Sequence, residues 1–371
     1  MKDYQSLIED LVFPAGIQLS KDGVADLIIH DERFYKRVLV DGTLGFGEAY
    51  MDGWWDSPSL DNVLYKLLSA NVEKKATHNL GFVFQTLGAR LFNRQSVTRA
   101  YQVSKRHYDL GNDLFECMLD KYMQYSCAYW KNAKTLEEAQ QQKLDLICRK
   151  LKLSPGKTVL DIGCGWGGFA RYAAEKYQVQ VTGITISAEQ AALAKRMCAG
   201  LPVDIRLEDY RNVKGAFDRI VCIGMFEHVG FKNYPTFMDL TYHCLKPNGL
   251  FLLHCIGGNE STVSTDPWID RYIFPNGMMP SIKQIGEAIE KRFIMHDWHN
   301  FGPDYDRTLM EWLNNFKASW DKLKDKYDER FYRMWEYYLC LSAASFRARK
   351  NHLWQIILSR PEFPGAYDSV R

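Results

Sequence analysis

The fold of this chain is decided by residues 159–168, which run Val159-Leu-Asp-Ile-Gly-Cys-Gly-Trp-Gly-Gly168. A short apolar segment ends in a cluster of glycines, and a helical pattern begins near Phe169. Glycine lets the backbone adopt positive φ and approach a ligand closely, and the N-terminus of a helix carries partial positive charge. The stretch therefore predicts a buried strand, a ligand-binding turn and a helix, in that order.

Similar units follow along the chain. Apolar segments alternate with helical patterns, a sequence typical of an open parallel sheet covered by helices on both faces. The predicted strands are 158–162, 179–185, 203–207, 217–223 and 249–254, and the predicted helices between them are 169–176, 188–198 and 234–244. The sequence thus predicts an α/β, Rossmann-like domain. Such sheets bind ligands at the carboxyl ends of their strands, so candidate site residues should directly follow strands.

The glycine turn alone leaves two cofactor classes open. Gly163, Gly165 and Gly168 satisfy the G-x-G-x-x-G pattern of dinucleotide sites, which is a weak signal by itself. Two features favour a methyltransferase instead. Asp161 lies two residues before the first glycine, as in methyltransferases that resemble this chain, and residues 183–190 place no acid at the strand tip where a dinucleotide fold holds ribose.

The N-terminal part has a different character. Helical spacing of apolar residues predicts short helices around Leu7–Val12, Phe34–Leu39 and Leu60–Leu68, with glycines at 42, 45, 47 and 53 separating them. Residues 1–73 hold thirteen acids and six bases, whereas residues 74–107 hold seven bases and no acid. We predict a helical domain over 1–90, a basic linker over 91–107 and the catalytic domain over 108–371. The basic segment suits either anionic lipid headgroups or a solvated linker.

Composition excludes several classes of protein. No stretch reaches the roughly 20 apolar residues that span a bilayer, and the N-terminus lacks a secretory signal pattern. The nine cysteines form no CxxC pair, which favours reduced thiols in the cytosol over a disulfide framework or a metal site. No nucleic-acid-binding motif accompanies the basic segment. We expect a cytoplasmic protein whose membrane contact is peripheral.

Seven ordered segments resemble the cyclopropane fatty acid synthase family, and the resemblance extends from about residue 33 to residue 358. Residues 45–55 also resemble the N-terminal domain of the bacterial phospholipid enzymes, while the mycolic acid cyclopropane synthases share the catalytic part. The segments are Tyr125-Ser-Cys-Ala-Tyr-Trp130, Gly163-Cys-Gly-Trp-Gly-Gly168, Gly183-Ile-Thr-Ile-Ser-Ala-Glu-Gln190, Met225-Phe-Glu-His-Val-Gly230, Leu252-Leu-His-Cys-Ile-Gly257, Tyr272-Ile-Phe-Pro-Asn-Gly277 and Asp297-Trp-His-Asn-Phe-Gly302.

The resemblance implies a class I methyltransferase domain that uses S-adenosylmethionine (SAM). The family transfers the methyl carbon of SAM to the cis double bond of unsaturated acyl chains in membrane phospholipids and releases S-adenosylhomocysteine (SAH). A carbocation on the acyl chain then loses a proton to bound bicarbonate as the cyclopropane ring closes. The implied bicarbonate ligands are Cys127, Glu227, His254, Tyr305 and the backbone at Ile256. Because a carboxylate repels an anion, we expect the pKa of Glu227 or His254 to be shifted.

The resemblance also assigns cofactor and acyl-chain contacts. Gly163, Gly165 and Gly167 are expected against the methionine part of SAM, Tyr125 and Ser126 over it, Thr185 and Gln190 at the ribose, and Asp209 and Tyr210 at adenine. Tyr108, Phe274 and Tyr305 are expected to line the acyl pocket, with Trp166 beside the cofactor. Aromatic faces attract a cation, which suits a carbocation intermediate. The implied partners are phospholipids at the inner face of the cytoplasmic membrane and a second copy in a homodimer.

Each assignment has a structural alternative. Cys127 is a typical buried hydrophobe, His254 a typical core histidine, and Glu227 and Asp209 suit helix or turn caps. Tyr305 suits an ordinary surface aromatic and Phe274 core packing. The whole chain suits a second hypothesis, a lipid-binding protein without turnover. Related chemistry that stops before ring closure, leaving a methyl branch, a methylene or a hydroxyl, is a third.

Overall fold

The computed structural model of the chain describes residues 3–21, 25–72 and 111–371. Its residues form two compact units. The first unit contains the described residues up to 72 together with 263–277 and 309–351, and the second contains 111–262, 278–308 and 352–371. The sequence predicted contiguous domains over 1–90 and 108–371. The observed first unit instead includes helical segments from the C-terminal half.

The helices are α1 Tyr4–Val12, α2 Arg33–Met51, α3 Leu60–Ser69, α4 Asn112–Met118, α5 Leu136–Lys150, α6 Gly168–Tyr177, α7 Ala188–Met197, α8 Tyr234–Cys244, α9 Pro267–Tyr272, α10 Ile282–Ile289, α11 Pro303–Ala318, α12 Trp320–Leu323 and α13 Glu329–Arg347. The strands are β1 Leu19–Ser20, β2 Leu27–Ile29, β3 Trp55–Asp56, β4 Thr158–Ile162, β5 Gln180–Thr185, β6 Val203–Leu207, β7 Phe217–Ile223, β8 Leu245–Gly258, β9 Ile294–Asn300 and β10 Asn351–Ser359. None of the helices within the described ranges is long and apolar enough to cross a membrane.

The first unit packs helices around a small sheet ordered β1-β2-β3. Helix α13 contacts both α2 and α3, which explains why a segment near the C-terminus belongs to this unit. Its core is aromatic. Trp55 lies against Phe46 and Tyr50, with ring centroids 4.4 and 4.9 Å apart, and Tyr337 of α13 lies 4.7 Å from Trp268 of α9. These rings hold segments that are distant in sequence together.

Two of the four glycines of the first unit interrupt helical structure as the sequence suggested, because Gly42 kinks α2 and Gly53, with φ 71°, follows its C-terminal end. The other two do not. Helix α2 continues through Gly45 and Gly47, with one non-helical residue at Gly42, where φ is 59°. Gly47 faces Trp268, and a Cβ atom there would lie 2.5 Å from the indole Cδ1. This glycine therefore permits close packing of α9 on α2 and does not mark a turn.

The second unit has a seven-stranded sheet ordered β6-β5-β4-β7-β8-β10-β9. The pairs β5–β6, β4–β5, β4–β7 and β7–β8 are parallel, and β9–β10 is antiparallel. The predicted α/β, Rossmann-like class is confirmed. Two further strands that the sequence did not predict, β9 and β10, add an antiparallel pair at one edge of the predicted parallel sheet.

Alternate residues of the central strands face opposite layers of the core. Leu160 and Ile162 of β4 join one cluster of buried side chains, whereas Val159 joins the other. The two layers receive α8 and α10 on one face and α5 and α6 on the other. Chain order reverses beside β4, because β5 and β6 lie on one side of it and β7 and β8 on the other. This arrangement creates a crevice at the carboxyl ends of β4 and β7.

Gly168, the first residue of α6, lies directly against the loop that follows α4. A Cβ atom at this position would collide with the backbone carbonyl oxygen of Tyr122 and with the side-chain amide of Gln124. Gly286 of α10 offers a contrast, because a Cβ atom there meets nothing within 4 Å. The contact with the loop requires glycine at position 168, whereas no contact requires glycine at position 286.

We predict that Gly168→Ala lowers the free energy of unfolding by about 2–3 kcal/mol, because the added methyl group must displace backbone. Gly286→Ala should raise it by about 0.5–1 kcal/mol, since alanine is the better helix former. Urea unfolding of both variants without ligand measures the two effects. Equal stability of the two variants would contradict this account of the loop contact.

Candidate active site

A cavity lies at the carboxyl ends of the parallel strands of the second unit. Nine of the ten residues predicted to contact the cofactor line it, and they come from four separate segments. They are Tyr125, Ser126, Gly163, Gly165, Trp166, Thr185, Gln190, Asp209 and Tyr210. The tenth, Gly167, precedes α6 as its N-terminal capping residue and is not one of the lining residues. The structure thus brings together residues that are up to 85 positions apart in sequence.

The turn after β5 is ordered by its own hydroxyl groups. Thr185 Oγ1 donates to Gln190 Oε1 at 2.9 Å and accepts the backbone N–H of Ser187 at 3.2 Å. The Ser187 side chain in turn caps α7 by accepting the Gln190 N–H at 3.3 Å. Thr185 and Gln190 are both buried and both face the cavity. Their fixed geometry offers hydroxyl and amide groups to a ligand without a charged side chain.

Asp209, in the segment after β6, both caps a short helix and lines the cavity. Its carboxylate accepts the Arg211 backbone N–H at 2.9 Å and so caps the short 3-10 helix Tyr210–Asn212. It also pairs with the Arg211 guanidinium at 2.9 Å. Asp209 and Tyr210 nevertheless line the cavity, and the Tyr210 hydroxyl has no hydrogen-bond partner within the described chain. Asp209 therefore makes the capping contacts of the structural alternative, and it makes them while lying in the cavity wall.

Aromatic contacts hold the side chains of Tyr125 and Trp166 in place in the cavity wall. Phe115 of α4 lies 4.8 Å from the Trp166 ring and 5.2 Å from the Tyr125 ring. Trp166 also donates its indole N–H to Asn112 Oδ1 at 3.0 Å. Helix α4 thereby orients two aromatic side chains that come from different segments and line one cavity.

A second group of polar atoms lies at the ends of β7 and β8. The backbone N–H of Ile256 donates to Glu227 Oε1 at 2.7 Å. The side-chain amide of Gln355 on β10 lies 3.2 Å from His254 Nδ1. Among the described residues, Glu227 Oε2 and His254 Nε2 are buried without a hydrogen-bond partner. Buried polar atoms are rarely left unpaired, so two such atoms here mark a place where a ligand is expected.

Burial shifts the pKa values of both side chains, as the sequence predicted. It raises the pKa of the Glu227 carboxyl to about 7, against the lowering effect of the Ile256 N–H. It also lowers the pKa of His254 well below its usual range, with smaller contributions from Lys143 and Lys150. His254 is therefore neutral near pH 7, while Glu227 exists in both its protonated and its ionised form.

The proposed bicarbonate ligands are not part of the cavity wall. Within the described ranges, the lining residues do not include Cys127, Glu227, His254, Ile256 or Tyr305. Two of these five residues are neighbours in sequence of residues that line the cavity. Cys127 follows Ser126, and Glu227 lies between Met225 and His228. Burial raises the pKa of the Cys127 thiol far above its usual value, and Tyr305 at the start of α11 is buried.

Of the three residues predicted to line the acyl pocket, the structure describes Phe274 and Tyr305 but not Tyr108. Phe274 belongs to the first unit, where its ring meets Tyr338 edge-on at 5.9 Å. This contact agrees with the core-packing alternative, and an acyl-chain role for Phe274 stays a prediction. Tyr108 and the basic segment 74–107 lie outside the described residues.

Sequence reasoning did not assign four residues of this region to the site, although it used Asp161 as evidence for a methyltransferase. Asp161 and His228 line the cavity, and burial lowers the pKa of His228 to about 4. Lys143 of α5 donates to two residues of the wall, and Gln355 orients His254. The motifs around Asp161 and His228 carried a usable signal, because both lie in glycine-containing segments at the carboxyl end of a strand. The sequence around Lys143 and Gln355 contained no signal that would have indicated a role in the site.

Comparison with known proteins gives a consistent result. A family model described as mycolic acid cyclopropane synthetase matches residues 95–356. The chain is 53% identical over 358 residues to the cyclopropane-fatty-acyl-phospholipid synthase of Escherichia coli K12, a match that covers 96% of this chain and 94% of that protein. It is 33% identical over 361 residues to the tuberculostearic acid methyltransferase UfaA1 of Mycobacterium tuberculosis, covering 90% and 83% of the two chains.

Solved structures agree with the fold. The cyclopropane synthase MmaA2 from Mycobacterium tuberculosis superimposes with a TM-score of 0.66 at 33% identity, covering 70% of this chain and 98% of that one. The mycolic acid cyclopropane synthase CmaA1, complexed with SAH and CTAB, gives a TM-score of 0.66 at 32% identity with the same coverage.

We predict that Glu227→Gln stabilises the fold in a pH-dependent way. A carboxyl group whose pKa is raised on folding destabilises the native state increasingly as pH rises from the unfolded pKa to the folded one. The variant should therefore gain about 2–3 kcal/mol more unfolding free energy relative to wild type at about pH 8.5 than at about pH 5. Urea unfolding at both pH values measures this difference.

The matched control is Glu290→Gln at an exposed position, where no burial penalty can be relieved. Its effect on stability should not depend on pH. A Glu227→Gln effect that is equally independent of pH would show that burial does not penalise the ionised Glu227 carboxyl group.

Proposed function

The chain belongs to the mycolic acid cyclopropane synthetase family, and on that premise we propose that it converts cis double bonds in the acyl chains of membrane phospholipids into cyclopropane rings. As a member of this family it is an enzyme of the SAM-dependent methyltransferase class. The observation that carries the finer proposal is the pair of unpartnered buried atoms, Glu227 Oε2 and His254 Nε2, among the described residues.

The cavity offers a suitable set of contacts for SAM. Gly163, Gly165 and Gly167 would approach the methionine part with their backbone, and Tyr125 and Ser126 would close over it. Thr185 and Gln190 would hold the ribose hydroxyls, and Asp209 and Tyr210 would meet adenine. Support comes from the cavity itself, because all of these residues except Gly167 line it together although they come from four segments of the chain.

The proposed reaction needs a base in an apolar setting. The double bond forms a carbon–carbon bond to the methyl group while the sulfur–methyl bond breaks, and SAH is the leaving group. The positive charge then resides on the acyl chain, where the aromatic face of Trp166 or Tyr305 would stabilise it. Removal of a proton from the new methyl group releases the electron pair that closes the ring.

The polar group at Glu227 and His254 fits an oxyanion such as bicarbonate. If Gln355 donates to His254 Nδ1, the hydrogen of the neutral imidazole is on Nε2, which can then act as a donor to a ligand. Protonated Glu227 would offer a second donor from Oε2, and burial favours that protonated form. Bicarbonate, when bound, would supply the base that accepts the methyl proton. Cys127, Tyr305 and the backbone at Ile256 complete the proposed ligand set.

Membrane attachment is proposed for the first unit. Phe13 is 80% exposed and Tyr4 54% exposed, and Leu7 on the same helix as Tyr4 is 40% exposed. A large aromatic side chain with this exposure is suited to insertion between lipid headgroups. We propose peripheral attachment at the inner face of the cytoplasmic membrane, assisted by the basic segment, and a homodimer as the working assembly.

We predict that the protein adds one CH2 per double bond to vesicles of cis-monounsaturated phospholipid when SAM and bicarbonate are supplied. Lipid mass spectrometry measures the gain, and NMR identifies the ring. Glu227→Gln should lower the rate at least about 100-fold, because general acid–base groups contribute on that scale. Glu290→Gln is the matched control and should keep full activity.

The alternatives give different results. A mass gain with a methyl-branch signal in NMR would identify chemistry that stops before ring closure. SAH binding without any mass gain would favour the lipid-binding protein without turnover. Either outcome would contradict the proposal.

A separate prediction concerns the membrane. Phe13→Asp should weaken binding to zwitterionic phospholipid vesicles by about tenfold or more, because the burial of one phenylalanine contributes that much. Ile282→Asp, at a 57% exposed position in the second unit, is the control and should bind as wild type does. Vesicle sedimentation measures both. Unchanged sedimentation of Phe13→Asp would exclude this helix end as the attachment point.

A further inference from the structure

The most unusual charged group in the second unit is Lys143. Its side chain, on the middle of α5, is fully buried. A buried ammonium group is costly unless it is paired, so its partners indicate what it does. Lys143 Nζ donates to Ser126 Oγ at 2.9 Å and to Gln124 Oε1. Both acceptors belong to the wall of the cofactor cavity.

The loop that contains Gln124 and Ser126 is also held by Asp120 and Gln140. The two carboxylate oxygens of Asp120 accept the backbone N–H groups of Tyr122 and Gln124 at 2.9 and 2.8 Å. Gln140, one turn before Lys143 on α5, donates to the Ser126 carbonyl oxygen at 2.9 Å. The loop that would close over SAM is therefore fixed to α5 by buried polar contacts, and Lys143 supplies the only charged donor that these contacts include among the described residues.

Lys143 also acts on the carboxyl group of the glycine motif. Asp161 lines the cavity, is 1% exposed, and its Oδ2 has no hydrogen-bond partner in the described part of the chain. Burial raises the pKa of Asp161 to about 7 even though the Lys143 charge opposes that rise, so the carboxyl is partly ionised near pH 7. An ionised carboxylate in the wall attracts a cationic ligand, and SAM carries a sulfonium and an ammonium group.

We propose that Lys143 is a positioning residue for SAM, which holds the Gln124–Ser126 segment in the cavity wall through its hydrogen bonds and whose charge favours the carboxylate form of Asp161. This inference rests on the proposed function, since it assigns Lys143 a task toward that cofactor. Lys143 does not line the cavity, so it acts through the residues it contacts and takes no part in the chemistry.

The expected pH dependence follows from the titration of Lys143 itself and from the groups that face it. Burial lowers the pKa of Lys143 to about 8, although Asp120, Cys127 and Asp161 favour its charged form, so wild type also loses this charge toward pH 9. The Lys143 charge in turn disfavours protonation of His254. Removal of the Lys143 charge lets the Asp161 pKa rise, so its carboxyl stays protonated to a higher pH. SAM affinity then falls at neutral pH and recovers as the pH increases.

Lys150 provides a matched control on the same helix. It is equally buried, and its Nζ lies 3.0 Å from His299 Nδ1 and 3.6 Å from Asp297 Oδ2. None of these residues lines the cavity. Lys143→Met and Lys150→Met therefore remove the same buried charge from one helix, but only the first removes contacts with the cavity wall.

The test is calorimetric titration of full-length wild type, Lys143→Met and Lys150→Met with SAM and with SAH, between about pH 6 and about pH 9. Near pH 7, Lys143→Met should bind SAM about tenfold more weakly than wild type, and the loss for SAH should be smaller because SAH lacks the sulfonium charge. The loss should diminish toward pH 9. Lys150→Met should match wild type at each pH.

Several outcomes would overturn the inference. Equal SAM affinity in the two lysine variants, or a loss in Lys143→Met that is the same for SAM and SAH and at every pH, would reduce Lys143 to a structural role. If Lys143→Met does not fold, Lys143→Gln replaces it in the titration, because it removes the same charge while keeping a polar group at the end of the side chain, and it should give the same SAM profile. Wild type that fails to bind SAH would instead count against the proposed function.

Discussion

A hydrogen bond of 2.7 Å from the Ile256 amide to the Glu227 carboxyl group joins the ends of two parallel strands. The Gly224 N–H continues this junction by donating to the His254 carbonyl oxygen at 2.9 Å. The Glu227 side chain is thereby held in the interior of the second unit. In the sequence it lies between Met225 and His228, which both line the cofactor cavity. One short turn thus supplies both a wall of the cavity and a buried acidic group next to it in the chain.

Burial gives that acidic group its chemical character. A carboxyl group in this position loses hydration without gaining a cationic partner in the contacts described, so its proton is held up to about pH 7. His254 responds in the opposite direction and stays neutral. A neutral imidazole and a shared proton are what an oxyanion requires from its surroundings, whereas an ionised carboxylate alone would repel it. The physical basis for the proposed base site is therefore desolvation.

Much of the second unit could be predicted because its signals are local. Strands β4, β6 and β7 begin and end at the predicted residues. Strands β4 and β7 are rich in apolar residues and are each followed by a glycine, and β6 alternates apolar and charged residues between Pro202 and Glu208. Strand β10 was missed because nearly every residue in it is buried, and a strand buried on both faces shows no alternation. The cavity residues follow strand ends, where the fold type places ligands.

Tertiary contacts account for what the sequence did not reveal. Lys143 follows three glutamines, a pattern that suggests a solvent-exposed face, and it becomes buried only when residues 120–126 fold over α5. Gln355 reaches His254 only through the pairing of β10 within the sheet. The sequence did not reveal that α13 belongs to the first unit for the same reason, because the packing of α13 on α2 and α3 leaves no local pattern in the sequence.

The central claim is that this site removes a proton from the transferred methyl group so that a ring closes. It is tested most directly with SAM carrying a trideuterated methyl group, followed by mass spectrometry of the lipid product. The account predicts that the product retains two deuterium atoms, because the third is lost to the base. Retention of all three would contradict it, since the methyl group would then have been transferred without deprotonation.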